Sequence, residues 1–369
     1  MFRLLTILLL CLSITVRAQE SESDSVESSF PTDVYAYYML ISPGETVSSA
    51  LGHAAIRMAC PSAGLDYCFT IKTPEFKDEL FDVLFGRLRM GLVPEETSMF
   101  YDDYMKQGRD VVAYRLGLTI DEARNLWKAL DNQVARGLCW EVNYVNNGCT
   151  QVCFENLFEI LDARMGNRTD SLIRAVVPFQ TRRQAVEKTL GHSSWLGFFL
   201  HSCYAGPLDE PVSPRQIVAM PEDGAALLQA AGLLVEKEGF VKDRKPETSS
   251  AWDATWFTPL MASVLFLLIC CMPFRQIDYV VFPLQVVLWL FFLALSFFAH
   301  SAGIGFNWLT IALFPLTAPV GIIYMLCHMG DIYSLSQLLF VVGFFIRTLY
   351  LIKRKRLLTN ILTFKTKSK

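Results

Sequence analysis

The chain has 369 residues, of which 52% are apolar and 19% charged, with a net charge of −3 at pH 7; its mean hydropathy is +0.32. Charge this sparse excludes a disordered chain, a fibrous repeat and an ordinary soluble domain. No basic excess invites DNA or RNA, so no nucleic-acid partner is expected.

Residues 1–18 carry Arg3, an apolar run from Leu4 to Val16, and Val16-Arg17-Ala18. That is the layout of a secretory signal peptide cleaved after Ala18. Cys11 follows Leu10 rather than a small residue, which argues against lipid attachment there. Residues 19–30 are rich in Ser and acids and read as a linker. Residues 31–250 form a polar, mixed-charge domain large enough for its own core. A signal peptide places that domain outside the cytoplasm.

Within it, Val34–Ile41 is aromatic and β-branched and predicts a strand ended by Ser42-Pro43-Gly44. Ala54–Met58 and Tyr67–Ile71 predict short strands, Met99–Lys106 a short helix and Val111–Leu116 another strand. Thr119 and Glu122 form a capping box, and Ala123, Leu126, Trp127, Leu130 and Val134 follow at helical spacing, so residues 120–135 predict an amphipathic helix. Cys139–Val145 reads as extended and Asn146-Asn147-Gly148 as a turn. Cys149 then opens a helix marked by Val152, Leu157, Ile160 and Leu161. The class is α+β.

Residues 254–352 hold four runs nearly free of charge: Trp256–Phe274, Tyr279–His300, Phe306–Cys327 and Ser334–Ile352. Each is long enough to cross about 30 Å of hydrocarbon as a helix. The expectation is an α-helical membrane domain of about four hydrophobic segments. Residues 353–369 form a basic tail. Four crossings would leave that tail outside with the domain, whereas positive segments favour the cytoplasm. One resolution makes Phe306–Cys327 re-entrant, broken at Pro315 and Pro319.

Six of the ten cysteines lie in the outer domain: Cys60, Cys68, Cys139, Cys149, Cys153 and Cys203. An oxidising compartment permits disulfides, and Cys60 and Cys68 flank a turn-rich stretch that a bridge could close. Cys149-x3-Cys153 lacks a second ligand pair, so no metal is expected, and no other cofactor.

The chemistry centres on two positions. His53 stands at the start of a strand, and Cys149 stands at the start of a helix. A helix N-terminus favours thiolate over thiol, and its free N–H groups can hold an oxyanion. A neighbouring imidazole can take the thiol proton and return it to a leaving group. Elsewhere, His201 and Cys203 are too close in sequence for a dyad, and His192 and Cys270-Cys271 read as structural. Asp82, Asp102 and Asp103 read as a solvated face. Asn167-Arg168-Thr169 is a glycosylation sequon only in a eukaryotic route. His300 lies beside a span.

Ser42-Pro43-Gly44-Glu45, then Ser49-x-Leu51-Gly52-His53-x-Ala55-Ile56-Arg57, resembles the start of the bacterial Lnb N-terminal periplasmic domain. Tyr144-x-Asn146-Asn147-Gly148-Cys149-Thr150 is similar to that family's Cys stretch. Ser213-Pro214-Arg215-Gln216, Met220-Pro221 and the region from His300 through Asn307-Trp308 to Pro315 resemble later parts. The resemblance implies a papain-like, permuted NlpC/P60-like thiol fold and lipoprotein N-acylation at the periplasmic face of the bacterial cytoplasmic membrane. It implies that Cys149 takes an acyl chain from a phospholipid as a thioester and passes it to the α-amine of a diacylglyceryl-Cys lipoprotein. His53 would be the general base. Gly148 stands where the family carries Asn, so Asn147, Ser42 or Ser49 would supply the missing polar group, within a loop shaped by Gly44. Arg57 would meet a phosphate head group or lie on the surface. The competing readings are a cell-wall peptidase or amidase of the same fold, and a non-enzymatic membrane scaffold.

Overall fold

The structure is a computed structural model that describes residues 33–44, 49–72, 89–137, 139–141, 148–179, 181–190, 194–204, 206–240, 257–298 and 306–367. The expected signal peptide and linker, the Asn146-Asn147 turn, Asp82, His192 and His300 lie outside the described residues.

The first part alternates strands and helices. In chain order they are β1 (Tyr35–Ile41), β2 (His53–Cys60), β3 (Leu65–Lys72), β4 (Arg89–Glu96), α1 (Thr97–Lys106), β5 (Val111–Leu116), α2 (Ile120–Ala135), β6 (Cys139–Glu141) and α3 (Cys149–Met165). There follow α4 (Thr169–Val176), α5 (Arg182–Leu190), α6 (Trp195–Cys203), α7 (Pro214–Ile217), α8 (Pro221–Ala230) and β7 (Leu234–Phe240). Among the described residues the strands form one antiparallel sheet in the order β6-β4-β3-β2-β1-β5-β7.

Strand alternation divides the sheet's side chains between two cores. Tyr38, Ala54, Ile56, Met58, Phe69 and Ile71 face α2, α3, α4 and α8, where Leu126, Leu130, Phe154, Leu157, Ile173 and Leu227 cover them. Met39, Ile41, Ala55, Ala59, Cys68 and Ala113 face the other way, under Phe100 and Tyr104 of α1. The predicted capping box is present: Glu122 N donates to Thr119 Oγ1 at 3.3 Å and Thr119 N to Glu122 Oε2 at 2.7 Å.

Cys60 and Cys68 are not bridged. The β2–β3 register sets Cys60 opposite Leu65 and Cys68 opposite Arg57, so the two sulfurs stand at different rungs of the ladder. Cys153 and Cys203 are also free thiols, and the side chain of Cys139 is outside the described residues.

The second part is helical: α9 (Pro259–Cys271), α10 (Asp278–Phe298), α11 (Trp308–Leu313), α12 (Ala318–Cys327) and α13 (Ile332–Lys367). Two of its helical stretches, Arg275–Phe298 and Ile332–Lys355, are long and apolar enough to cross a membrane. The first expected span is a 13-residue helix, and the third breaks into α11 and α12 around Pro315. The break is chemically supported, because freed carbonyls must find donors. Gln285 Nε2 donates to Leu313 O at 2.7 Å, Thr317 Oγ1 to Ile311 O at 2.7 Å, and Trp289 Nε1 to Thr310 O at 3.1 Å. Val280, Val287, Phe297, Leu316 and Ile323 turn more than half of their surface outward, as lipid-facing side chains do.

The two parts meet at α6, whose apolar sequence (WLGFFLHSC) packs against the C-terminal helices. Asn307 Nδ2 donates to Ser202 O at 2.7 Å and Cys203 O at 3.0 Å. Gln337 Nε2 reaches Ser202 Oγ at 3.0 Å, and Trp195 Nε1 reaches Phe257 O at 2.7 Å. At the opposite end, Arg347 is fully buried and donates to Asp278, to Met272 O at 2.6 Å and to Phe274 O at 3.0 Å.

Candidate active site

The site is built on the first two residues of β2. Gly52 holds φ +80°, a left-handed turn that a side chain would strain, and an added Cβ would crowd Ile41 O. That turn delivers His53 into the strand, opposite Ile41 of β1. The partly buried imidazole leaves the strand on the α1 side. Its Nε2 lies 2.7 Å from Thr70 Oγ1, and its face stacks on Tyr104 with ring centroids 6.0 Å apart.

Cys149 arrives from the other side of the sheet, as the first residue of α3. Gly148 caps the helix, and its N–H donates to Gln151 Oε1 at 2.9 Å. Gln151 Nε2 in turn donates to Gln216 O at 3.2 Å. The Ser213–Gln216 stretch thereby braces the helix start, while Arg215 ties to the far end of α3 through Asp162 at 2.9 Å and to α4 through Asp170 at 3.1 Å. The β2–β3 ladder pairs only Ile56–Cys60 of β2, so Ala54 has no partner on β3. The backbones of Ala54, Thr150 and Cys149 and the Thr150 side chain bias Cys149 toward thiolate.

Imidazole and thiol thus reach the same strand end from opposite faces, one residue apart along β2. No hydrogen bond joins them directly among the described residues.

The electrostatics correct one expectation. Burial pushes the Cys149 thiol up, outweighing the groups that favour thiolate. Burial, then Arg109 and Lys72, lowers His53 to about 3. The resting pair is therefore neutral thiol and neutral imidazole, not thiolate and imidazolium. Arg109 is nearly fully buried, with its guanidinium 4.9 Å above the Tyr104 ring that stacks on His53.

The expected supporting residues have other tasks. Ser42 Oγ accepts from Asp110 N at 2.8 Å, and Ser42 O accepts from Arg109 Nε at 2.7 Å. Gly44 N donates to Ser49 O at 2.9 Å, and an added Cβ at Gly44 would run into the Ser49 side chain. These residues shape the loop before His53. Arg57 is held by Asp66, at 2.7 Å from both Nε and Nη2, and lies over the Tyr37 ring. Asn147 is outside the described residues. Thr70, Tyr104 and Arg109 were not expected from sequence as site residues; the predicted strand Tyr67–Ile71 and helix Met99–Lys106 held the first two, and only the fold places them beside His53.

No protein-family model, curated protein or solved structure matches this chain.

Proposed function

We propose that the chain is a membrane-bound thiol acyltransferase that N-acylates lipoproteins, on a papain-like, permuted NlpC/P60-like outer domain. The observation that carries this reading is that Cys149 opens α3, the helix packed on β2, whose first residue is His53 with Nε2 at 2.7 Å from Thr70 Oγ1. In this reading Thr70 accepts from Nε2, and Nδ1 takes the thiol proton once substrate brings the two groups together.

In the first half-reaction Cys149 sulfur attacks an ester carbonyl of a phospholipid while His53 takes the thiol proton. Main-chain N–H groups at the start of α3 hold the oxyanion. The ester C–O bond breaks, the lysophospholipid alcohol leaves with the proton from His53, and an acyl-thioester remains. In the second half-reaction the α-amine of a diacylglyceryl-Cys lipoprotein attacks the thioester and gives its proton to His53. The C–S bond breaks and the sulfur is reprotonated. Both substrates are lipid-anchored, so a bilayer-bound enzyme turns their encounter into local positioning.

This reading takes three crossings: α10, α13 and the expected span Trp256–Phe274, of which the 13-residue α9 is the described helical part. Asn307 at one end of α11–α12 bonds α6, and Trp308 and His328 at its two ends line one small cavity of about 30 Å³ with Arg183 and Asp209. That supports a re-entrant hairpin opening toward the outer domain. The basic tail then lies on the cytoplasmic side of the inner membrane and the thiol domain on the periplasmic side.

The test is intact-mass analysis of protein purified from cells. An acyl adduct on Cys149 is expected in wild type and absent from Cys149→Ser, and lipoproteins should lose the N-acyl chain in Cys149→Ser and His53→Ala. Altered cell-wall peptides with unchanged lipoproteins would instead identify a peptidase. No change in either, with normal protein levels, would remove the enzymatic reading.

A further inference from the structure

A second cluster of chemically capable side chains lies at the junction of the two parts, and the acyl-transfer chemistry does not use it. Glu187 comes from α5, His201 from α6, and Asp331 from the residue before α13. One ligand-capable atom from each lies within 4.8 Å of the other two. Nε2 of His201 is 3.7 Å from Oε1 of Glu187, and Nδ1 is 4.0 Å from Oδ1 of Asp331. His201 is wholly buried, Glu187 is 9% exposed and the Asp331 side chain 7%.

Two further observations point to a ligand. Oε1 of Glu187 is buried and accepts no hydrogen bond. The charges also do not close. Arg183 and Asp209 form a two-pronged pair and cancel each other. Glu187 and Asp331 are left as two buried carboxylates beside an imidazole. Two such charges in one dry spot are unfavourable unless they share a proton or hold a cation. Asp331 takes Ser334 N at 2.7 Å and Ser334 Oγ at 2.8 Å, one bond per oxygen, so lone pairs remain for a metal.

We propose that Glu187, His201 and Asp331 bind one divalent transition-metal ion of the zinc type, which clips the outer domain to the C-terminal helices. One imidazole nitrogen and two carboxylate oxygens suit zinc, with water in the fourth position. The Tyr333 ring, 4.6 Å from the His201 ring, holds that ring in place. Arg183 Nη1 contacts His201 Nδ1. Metal binding at Nε2 moves the remaining ring proton to Nδ1. The Arg183 contact then opens while Arg183 keeps Asp209.

The experiment uses the full chain purified in detergent without chelators, with bound metal measured by mass spectrometry. About one equivalent of zinc per chain is expected in wild type and in Cys149→Ser, and at most a tenth of that in Glu187→Gln and His201→Gln. Cobalt added after chelation should give a visible absorption band in wild type and none in Glu187→Gln. Arg183→Gln, which removes a competitor for the imidazole, should bind cobalt at least as tightly as wild type. If the variants do not fold, wild type decides: chelation should lower its melting temperature and zinc should restore it. The proposal is overturned if wild type carries no transition metal and binds neither zinc nor cobalt at micromolar concentration. It is also overturned if both variants keep the metal. Acylation of Cys149 is read separately, so failure here leaves the acyltransferase reading standing.

Discussion

Nε2 of His53 and Oγ1 of Thr70 stand 2.7 Å apart, across the point where β2 and β3 part company. A hydroxyl that accepts from this nitrogen selects the tautomer with Nδ1 unprotonated, the form a general base needs. Thr70→Val should lower the acylation rate about 100-fold while Thr70→Ser retains most of it. Single-turnover acylation of Cys149 with a defined phospholipid is the measurement. Equal rates in all three would remove Thr70 from the mechanism.

His53 is lowered to about 3, so it stays neutral well below the range of an ordinary histidine. The acid limb of the pH–rate profile should therefore lie below pH 5, not near 6.5. Cys149 is raised, so its alkylation by iodoacetamide should climb only on the alkaline side, with no plateau at neutral pH. A profile with an ion-pair plateau between pH 5 and 8 would contradict the neutral pair.

The same shift bears on stability. The folded pKa of His53 lies below the unfolded value, so the unfolded chain binds the extra proton. The stabilisation is complete above about pH 6.5 and is lost as pH falls toward 3, at up to about 1.4 kcal/mol per pH unit. His53→Gln should flatten that slope in chemical denaturation series between pH 4 and 7.

Arg347 and Asp278 bind each other at the end of the helical part away from α6, and Arg347 also closes the turn after α9 by holding its carbonyls. Arg347→Leu leaves Asp278 and those carbonyls without their main donor. The expected cost is about 3 kcal/mol, and Arg347→Leu with Asp278→Leu should recover part of it. Thermal aggregation of the detergent-solubilised protein reads the difference.

Two native cysteines report on the path of the chain. Cys327 ends α12, next to His328 in the cavity shared with Arg183, and Cys271 ends α9 near Arg347. Both are exposed. In sealed vesicles an impermeant maleimide should label Cys327 from the face that carries the thiol domain and Cys271 only from the other. Labelling of both from one face would exclude a re-entrant α11–α12.

The legible elements were those whose signals are local. Thr119 and Glu122 announce α2 within four residues, and the aromatic and β-branched run ended by Ser42-Pro43-Gly44 announces β1. β4 was not read, because Gly91 and Pro94 interrupt its pattern and only the ladder to β3 makes it a strand. β7 was hidden by Glu236, Lys237 and Glu238, which suit an edge strand facing water. α6 has no polar face because it is enclosed by both parts of the molecule, so its sequence shows no helical period. His53 and Cys149 were visible from their flanks, a glycine turn before a strand and a glycine before a helix. Thr70 and Arg109 were not, since their places depend on register and on a loop closed by Ser42.

β2 is the fourth of the seven strands, with three neighbours on each side. Amide deuteration should therefore penetrate it last. Its first residues, His53–Ala55, pair with β1 alone, so they should exchange before Ile56–Cys60, and the candidate reacting groups sit on the looser end of the innermost strand.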